Sequence, residues 1–383
     1  MASCVHYSDG MPTLRDVVGV LDGLYDPRWA DSWDAVGTVA GDPEAEVAKV
    51  LFAVDPVQAV VDEAVAWGAD LVVTHHPLWL KGVTSVAATS PKGRVVHTLI
   101  SHGVGLHTCH TNADSPALGV SESMALALGL SDVRPLEPDA ADPTDTWVVF
   151  VPEDDADRVA AAMHGAGAGH VGDYDSAQFR STGTGSFRPL DGANPAIGEV
   201  GAIEHVAEAR IEMTADRRLR EGVRAAMLAA HPYEEVAYDV LEPAARAADR
   251  GSGRIGTLAT GMTLAEFASH VSDRLPAHHS ATRVAGDPDR PIRTVALCGG
   301  SGDFLLATAN AAGADVYVTS DLRHHPVSEH LENAGACAVV DVPHWAAEWT
   351  WLPVGARALT ERLPGIETKV STIVTDPWTS HVS

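Results

Sequence analysis

The hydrophobic residues of this chain fall in short runs separated by amphipathic segments, a pattern typical of buried strands alternating with covering helices. Residues 47–76, VAKVLFAVDPVQAVVDEAVAWGADLVVTHH, predict a strand, a helix and a second strand. We predict that this helix starts after Asp55 as its N-cap, with Pro56 in the first turn, and stops near Gly68. Another helix and a short strand ending near 107–110 follow, which together favour a parallel sheet covered on both faces.

A similar pattern returns near the C-terminus. Residues 294–326 again predict strand, turn, helix and strand, and GADLVVTHHP at 68–77 can be laid beside GADVYVTSDLRHHP at 313–326. The next unit, 333–349, ends another strand in a histidine. We therefore predict an α/β protein with two related halves and mainly parallel sheets, whose strand ends could face one another across a cleft.

The segment between these halves has a different order of elements. Residues 145–181 predict strand, helix and strand, and residues 209–243 predict the same order again. Two consecutive β-α-β units are typical of a ferredoxin-like domain. The joins at about 136–145 and 242–253 are rich in Ala, Asp and Pro and resemble linkers. We predict a first half of the α/β domain at 1–138, an inserted ferredoxin-like α+β domain at 139–249, and the second half at 250–383.

Composition narrows the class of protein. The formal net charge is −26, with 52 acidic against 26 basic residues, and a nucleic-acid-binding protein needs a cationic surface. No apolar run approaches the roughly 20 residues that cross a bilayer, and the N-terminus shows no secretory signal. We therefore expect a cytoplasmic protein with no nucleic-acid or membrane partner. Its cysteines form no CxxC pair, so we expect them reduced and mostly buried: Cys4, Cys109, Cys298 and Cys337.

Histidines gather where the predicted strands end, which is where open α/β sheets place their sites. His75 and His76 are adjacent, and neighbouring side chains of a regular strand point to opposite faces. They can share one site only if they lie just past the strand; two surface histidines are the alternative. The clusters at strand ends are His75 and His76; His107, His110 and Asp114; Asp321, His324 and His325; and His344 and Glu348.

The pair His344 and Glu348 is the most interpretable of these clusters. The segment HWAAEW is predicted to turn into a helix, where an i,i+4 spacing puts both side chains on one face. Imidazole and carboxylate together suit zinc, iron, manganese or nickel, and disfavour calcium. Four such groups could hold one zinc ion, whereas five or more with a bridging carboxylate favour two ions roughly 3.5–4 Å apart.

The glycine-rich segment CGGSGDF at 298–304 leaves two interpretations open. It could cradle a phosphate at a helix N-terminus, or it could be a tight turn between strand and helix. It lacks the established nucleotide-binding spacings, so we predict no residues that bind an organic cofactor.

Several stretches resemble one family, the dinuclear-metal-centre hexamer family, also called type 2 GTP cyclohydrolase I homologues or Nif-three-like proteins. The stretches are SWDAVGTVAGD, VVTHHPLW, HTNAD, CGGSG and DVPHWAAEW, and they are spread over most of the chain. The inserted domain, with HPYEEVAYD, is similar to the PII-like insertion of longer family members. The resemblance implies a homo-hexamer with its sites facing an internal cavity. It also implies two divalent ions (zinc, iron or manganese) on five ligands, which are His75, His76, Asp114, His344 and Glu348. His107 occupies a place where an aromatic residue is more usual.

This resemblance also implies a function. We expect a dinuclear metal-dependent hydrolase of the GTP cyclohydrolase type, in which metal-activated water attacks a nucleotide or another phosphate-containing small molecule. His110, Asp321 and His324 are the expected catalytic helpers, because each is close to a ligand or to the matching strand end in the other half. The alternative is a non-catalytic metal-binding or regulatory protein whose PII-like domain senses a ligand.

Overall fold

The structure is a computed structural model that describes residues 10–382. Within this range the chain divides into two compact units. The smaller unit is Ala140–Ala248, and the larger unit comprises the described residues on either side of it. Three cysteines of the larger unit are free and buried, namely Cys109, Cys298 and Cys337. The prediction for Cys4 lies outside the described residues.

The α-helices are α1 (Leu14–Leu24), α2 (Gln58–Trp67), α3 (Pro91–Ser101), α4 (Thr111–Asp114), α5 (Val120–Ala127), α6 (Ala156–Gly165), α7 (Arg220–Ala230), α8 (Leu264–Arg274), α9 (Leu306–Ala311), α10 (His324–Leu331), α11 (His344–Trp349) and α12 (Leu352–Arg362). The β-strands are β1 (Gly37–Ala40), β2 (Lys49–Ala53), β3 (Leu71–Thr74), β4 (Gly105–Thr108), β5 (Leu130–Ala140), β6 (Thr144–Pro152), β7 (Phe179–Phe187), β8 (Glu204–Asp216), β9 (Tyr238–Leu241), β10 (Ala247–Thr263), β11 (Arg283–Ala285), β12 (Pro291–Ser301), β13 (Val316–Ser320), β14 (Ala338–Asp341) and β15 (Glu367–Val370).

Two sheets form the larger unit and confirm the predicted α/β class with mainly parallel strands. The first has the order β1-β4-β3-β2-β15, in which only β1 runs antiparallel to its neighbour. The second has the order β11-β14-β13-β12-β10-β5, and its central strands β12, β13 and β14 are parallel. One face of each sheet packs on a shared apolar core that includes side chains of α1, α5, α8, α11 and α12. The outer face of the first sheet is covered by α2 and α3.

The two sheets repeat one arrangement, as the matched GAD segments indicate. In each sheet a short strand, β1 or β11, comes first in the chain, and three parallel strands come after it. The short strand pairs antiparallel with the last of the three, β4 or β14. The Asp70 carboxylate accepts the amides of Ala48 and Lys49, and the Asp315 carboxylate accepts those of Arg293 and Thr294. The same short-range contacts therefore tie neighbouring parallel strands together in both halves.

The helix ends differ from the prediction at one place that matters for function. Helix α2 begins at Gln58, with Val57 as an N-cap that makes no side-chain cap bond. Asp55 is therefore not the N-cap, because its carboxylate is bonded to His76 and Thr375 instead. The helix ends as predicted at Gly68, whose φ of 74° suits a residue without a β-carbon.

The smaller unit has its own sheet and its own core. Its elements follow the order β6-α6-β7-β8-α7-β9, and its four strands lie in the antiparallel order β7-β8-β6-β9. This β-α-β-β-α-β order is the one that defines ferredoxin-like domains. The PII-like character of the unit stays a prediction.

The joins expected to be linkers are instead largely strand. Strand β5 continues to Ala140 and β10 begins at Ala247, and the amide of Ala141 donates to the carbonyl of Arg246 over 2.8 Å. Paired backbone groups, rather than a flexible composition, decide the structure of these segments. Among the described residues, no helix combines the length and apolar character needed to cross a bilayer.

Candidate metal centre

The adjacent histidines of the first half lie just past the end of a buried strand. Strand β3 ends at Thr74, after which the amides of His75 and His76 still donate to the carbonyls of Ala53 and Val54. Because both residues lie beyond the regular strand, their side chains need not point to opposite faces of the sheet, and the ring centres lie 5.2 Å apart. Both rings face Glu348 of the second half.

Helix α11 supplies the candidate ligands of the second half. It begins directly after β14, so His344 and Glu348 stand one turn apart at the strand end, with His344 Nε2 2.7 Å from Glu348 Oε1. The carboxylate is buried, with 3% of the side chain exposed. The backbone of Gly300 in β12 passes beside it, where a β-carbon would lie 2.7 Å from Glu348 Oε1. A glycine is therefore needed at this close approach.

The carboxylate of Glu348 is the centre of the cluster. Its Oε1 lies 3.4 Å from His75 Nε2, and its Oε2 lies 3.0 Å from His76 Nε2. Asp114 Oδ1 lies 3.7 Å from His75 Nε2. Groups from both halves of the larger unit thus converge on one buried volume, and all five residues implied as ligands by the family resemblance belong to it.

Each histidine of the cluster is held from behind through Nδ1. His76 donates to Asp55 (2.7 Å), His344 to Asp321 (2.6 Å) and His75 to the carbonyl of Cys109 (3.0 Å). An Nδ1–H that donates to oxygen leaves the lone pair of a neutral imidazole on Nε2, which is the atom facing the cluster. Such outer partners fix the orientation of metal-binding histidines.

His110 lies in the same cluster and has a carboxylate partner of its own. Its ring centre is 5.1 Å from that of His75, and groups of His75, His76 and His110 could together hold an ion. Its Nδ1 donates to Asp34 over 2.8 Å, and Asp34 also accepts the hydroxyl of Thr111. The network of bonds holds the pKa of Asp34 below its usual range despite burial.

The buried carboxylate of Glu348 stabilises positive charge on the groups around it. Burial opposes ionisation of Glu348, but the surrounding imidazolium groups, His76 most strongly, hold the pKa of its carboxyl well below its usual range. Burial also opposes protonation of His76, yet Glu348 and Asp55 raise its pKa to about 11. Glu348 raises the pKa of His344 to about 10 in the same way. Without an ion, protonated histidines balance the charge of this carboxylate; a divalent cation would replace their protons.

Three buried atoms that make no hydrogen bond show that the residues present fit a metal. Asp114 Oδ1, His344 Nε2 and Glu348 Oε2 are buried, and within residues 10–382 they make no hydrogen bond, although each lies within 4 Å of an ion-pair partner in the cluster. All three are donors that transition metals accept, and all face the same cluster.

The other predicted site residues take different places. Asp321, with a φ of 58°, contacts the cluster through its bond to His344. His324 is not brought to the cluster, since it begins α10, is exposed and faces a separate cavity beside Arg283 and Leu331. His107 is buried in β4, with Nδ1 3.1 Å from the hydroxyl oxygen of Thr38.

Sequence reasoning missed Asp34 and Asp55 as parts of the site. Asp34 lies within SWDAVG, a stretch that carries the family resemblance, but nothing in its spacing indicates that it bonds to His110. Asp55 follows strand β2 and so stands at a strand end like the histidine clusters. The strand-end rule could have identified Asp55, had it not been assigned to the helix cap.

Two cavities reach the cluster, and both are lined by His76 and His344. The first, of about 320 Å³, is also lined by Trp29, Trp33 and Phe304, and we call it the aromatic cavity. The second, of about 650 Å³, is lined by the C-terminal segment that includes Trp378, and we call it the C-terminal cavity. A small molecule could therefore approach the cluster from either of them.

The fold and the cluster together define an α/β protein with a buried histidine–carboxylate centre of the kind that binds metal ions. The chain belongs to the Duf34/NIF3 (NGG1p interacting factor 3) family, whose sequence profile matches residues 12–377. This confirms the resemblance found in the sequence.

Similar proteins are known across nearly the whole chain. A Mycobacterium tuberculosis protein named GTP cyclohydrolase 1 type 2 homolog is 48% identical over 368 residues, 95% of this chain and 96% of that protein. A Bacillus subtilis protein of the same name is 37% identical over 332 residues, 87% and 88% of the two chains. The crystal structure of a Bacillus cereus protein related to NIF3 is 34% identical with a TM-score of 0.78, covering 96% of this chain and 99% of that one. A Staphylococcus aureus structure, 27% identical, gives a TM-score of 0.83 with 98% and 100% coverage.

Proposed function

We propose that this protein is a dinuclear metal-dependent hydrolase that acts on a small molecule. The observation that carries the proposal is the convergence of three buried atoms without a hydrogen bond, from Asp114, His344 and Glu348, with the Nε2 atoms of His75 and His76. Buried donors of this kind are expected to be satisfied by an ion. The name of the relatives makes GTP the first candidate substrate to test.

Two ions are supported over one by the position of Glu348. Its two oxygens face different histidines, Oε2 towards His76 and Oε1 towards His344 and His75. A carboxylate placed in this way can bridge two ions. Imidazole and carboxylate donors suit zinc, iron or manganese, which we propose as the metals.

The chain's own residues have separate roles in this proposal. Bound divalent ions lower the pKa of water towards neutrality and polarise the group under attack. Asp55 and Asp321 hold the rings of His76 and His344 so that Nε2 faces the cluster. His110, oriented by Asp34, is placed to accept the proton of the attacking water, as a base held by a third group.

The first experiment is metal content per chain, by mass spectrometry, on protein purified without chelator or nickel affinity resin. We expect about two ions per chain, with a large loss in His75→Ala and Glu348→Ala. His97→Ala is the matched control, because His97 is exposed on α3 away from the cluster, and it should leave the content unchanged. Absence of metal, with no uptake of zinc, iron or manganese, would refute the hydrolase.

Turnover separates this proposal from its alternative. Metal-loaded protein is assayed for hydrolysis of GTP and of simple phosphate esters, with His110→Ala as the variant that should lower kcat by about 10²-fold or more. Stable metal binding without turnover on any substrate would favour the non-catalytic metal-binding or regulatory protein. From the family resemblance we also propose a cytoplasmic homo-hexamer, which light scattering on the purified chain can test.

A further inference from the structure

The aromatic cavity carries exposed apolar surface beside the metal ligands. Trp33 is 57% exposed and Phe304 is 62% exposed, although both are large hydrophobic side chains. The Trp33 ring meets the ring of His110 edge-on, with centres 5.9 Å apart. Exposed aromatic surface next to a cluster of polar groups is typical of a ligand site.

The acidic side chains that line this cavity are not matched by lysine or arginine among the described residues. Four carboxylates line it, those of Asp31, Asp114, Asp139 and Glu348, and no lysine or arginine does so within the described part of the chain. Arg250 contacts two lining residues from outside, 5.1 Å from the centre of the Trp29 ring and 3.8 Å from Asp139. Its charge is therefore already engaged by a ring and a carboxylate.

The C-terminal cavity provides the comparison. It is lined by one arginine, Arg283, but this side chain is bonded to Asp341. Its exposed aromatic residue is Trp378, at 68%. The aromatic cavity differs in having two exposed aromatic residues and in being lined by His110 and Glu348, and its volume of about 320 Å³ is near the lower end of the usual range for ligand sites.

We propose that the aromatic cavity binds an uncharged heteroaromatic ring, which stacks against Trp33 and Phe304 at the metal centre. Aromatic side chains bind such rings through their faces, and carboxylates at the rim can accept hydrogen bonds from ring amino or imino groups. This inference rests on the proposed function, because it specifies the substrate class of the same site. On this proposal the ring supplies the affinity, and no lysine or arginine of residues 10–382 lines the cavity to form an ion pair with a polyphosphate.

The test is equilibrium binding by calorimetry on the metal-loaded full-length protein. The probes are guanosine, adenosine, uridine, GTP and inorganic tripolyphosphate. We expect at least one nucleoside to bind, with guanosine and GTP within tenfold of one another and no displacement by tripolyphosphate. Trp33→Ala and Phe304→Ala should each weaken nucleoside binding by about tenfold, and Trp33→Phe should retain most of it.

Trp378→Ala is the matched control, since it removes an equally exposed aromatic residue from the other cavity that reaches the cluster. It should leave the affinity unchanged. Three results would overturn the proposal: no nucleoside binds at millimolar concentration, GTP binds more than tenfold tighter than guanosine, or Trp378→Ala weakens binding as much as Trp33→Ala.

The same titration on chelator-treated protein separates this inference from the proposed function. If the protein takes up no metal but still binds a nucleoside in a way that depends on Trp33, the proposed hydrolase is refuted and the proposed ring site is supported. If the protein binds two ions per chain but no nucleoside, the proposed metal centre is supported and the proposed ring site is refuted.

Discussion

The pKa values of two buried histidines shift in opposite directions because the groups that face their rings differ. His75 and His107 are each 1% exposed. His75 faces the carboxylates of Glu348 and Asp114, which raise its pKa against the effect of burial. Burial alone lowers the pKa of His107 to about 4, since the partly exposed carboxylate of Asp22, 3.9 Å from its Nε2, does not offset it. Burial of a histidine therefore indicates a ligand only when buried carboxylates lie opposite its ring.

The lowered pKa of His107 predicts acid sensitivity. An unfolded histidine titrates near 6.5, so between about pH 6.5 and 4 the unfolded chain binds a proton that the folded chain does not. Stability contributed by the neutral ring is present above pH 6.5 and is lost as the pH falls through this window. Between pH 7 and 5 the loss should be about 2 kcal/mol.

His107→Phe removes the titrating group while keeping an aromatic ring in the same buried place. We expect its free energy of unfolding in urea to fall less between pH 7 and 5 than that of the natural chain, both freed of metal by chelator. Parallel pH profiles for the two proteins would contradict the prediction.

At the scale of elements, the site depends on backbone that passes close to a ligand. Gly300 in β12 and Gly313 before β13 have similar φ angles, 71° and 76°. A β-carbon at Gly300 would meet Glu348, whereas one at Gly313 would meet nothing within 4 Å. The two glycines therefore share a conformational reason for lacking a side chain, and only one of them has a second, steric reason.

Alanine at these two glycines separates backbone strain from the effect on the ligand. Gly300→Ala and Gly313→Ala should each lower the free energy of unfolding by about 1–2 kcal/mol, the cost of a left-handed conformation. Only Gly300→Ala should also displace Glu348, and so weaken metal binding by roughly tenfold or more. Competition with a chromophoric chelator measures this, and equal metal affinity in the two variants would show that Glu348 tolerates the added methyl group.

At the scale of the whole molecule, the apolar cores of the two units are separate. The core of the smaller unit is formed by residues between Trp147 and Val240, and the core clusters of the larger unit contain none of them. The ends of the smaller unit meet, since Ala141 is bonded to Arg246. The histidine–carboxylate cluster that could hold metal lies entirely in the larger unit.

This organisation predicts that the smaller unit can be removed. Replacing residues 142–245 by a short glycine-containing turn should leave a chain that folds, because each core is made within one unit. We expect its metal content per chain to equal that of the full protein, as measured by mass spectrometry, with a cooperative thermal transition. A product that aggregates, or that folds without metal, would show that the larger unit depends on the smaller one.

The internal repeat shows where local pattern misleads. The motif HHP occurs at 75–77 and again at 324–326, which suggests matching roles for the two histidine pairs. With the GAD segments in register, however, His76 corresponds to Asp321, because β2 pairs with β3 as β12 pairs with β13. The second HHP lies four residues further along and opens helix α10, so His324 faces another cavity.

The sequence alone was enough to predict the α/β class and the strand ends where candidate ligands gather, because these depend on periodicity and on spacings of a few residues. The i,i+4 pair of His344 and Glu348 is of this kind, since a single helical turn brings it together. The family resemblance came from its motifs. Only the tertiary structure decided which carboxylates hold the histidines: Asp55 lies 21 residues from His76, and Asp34 lies 76 residues from His110. No local pattern specifies such contacts, because they exist only after the strands have paired and the halves have closed on one core.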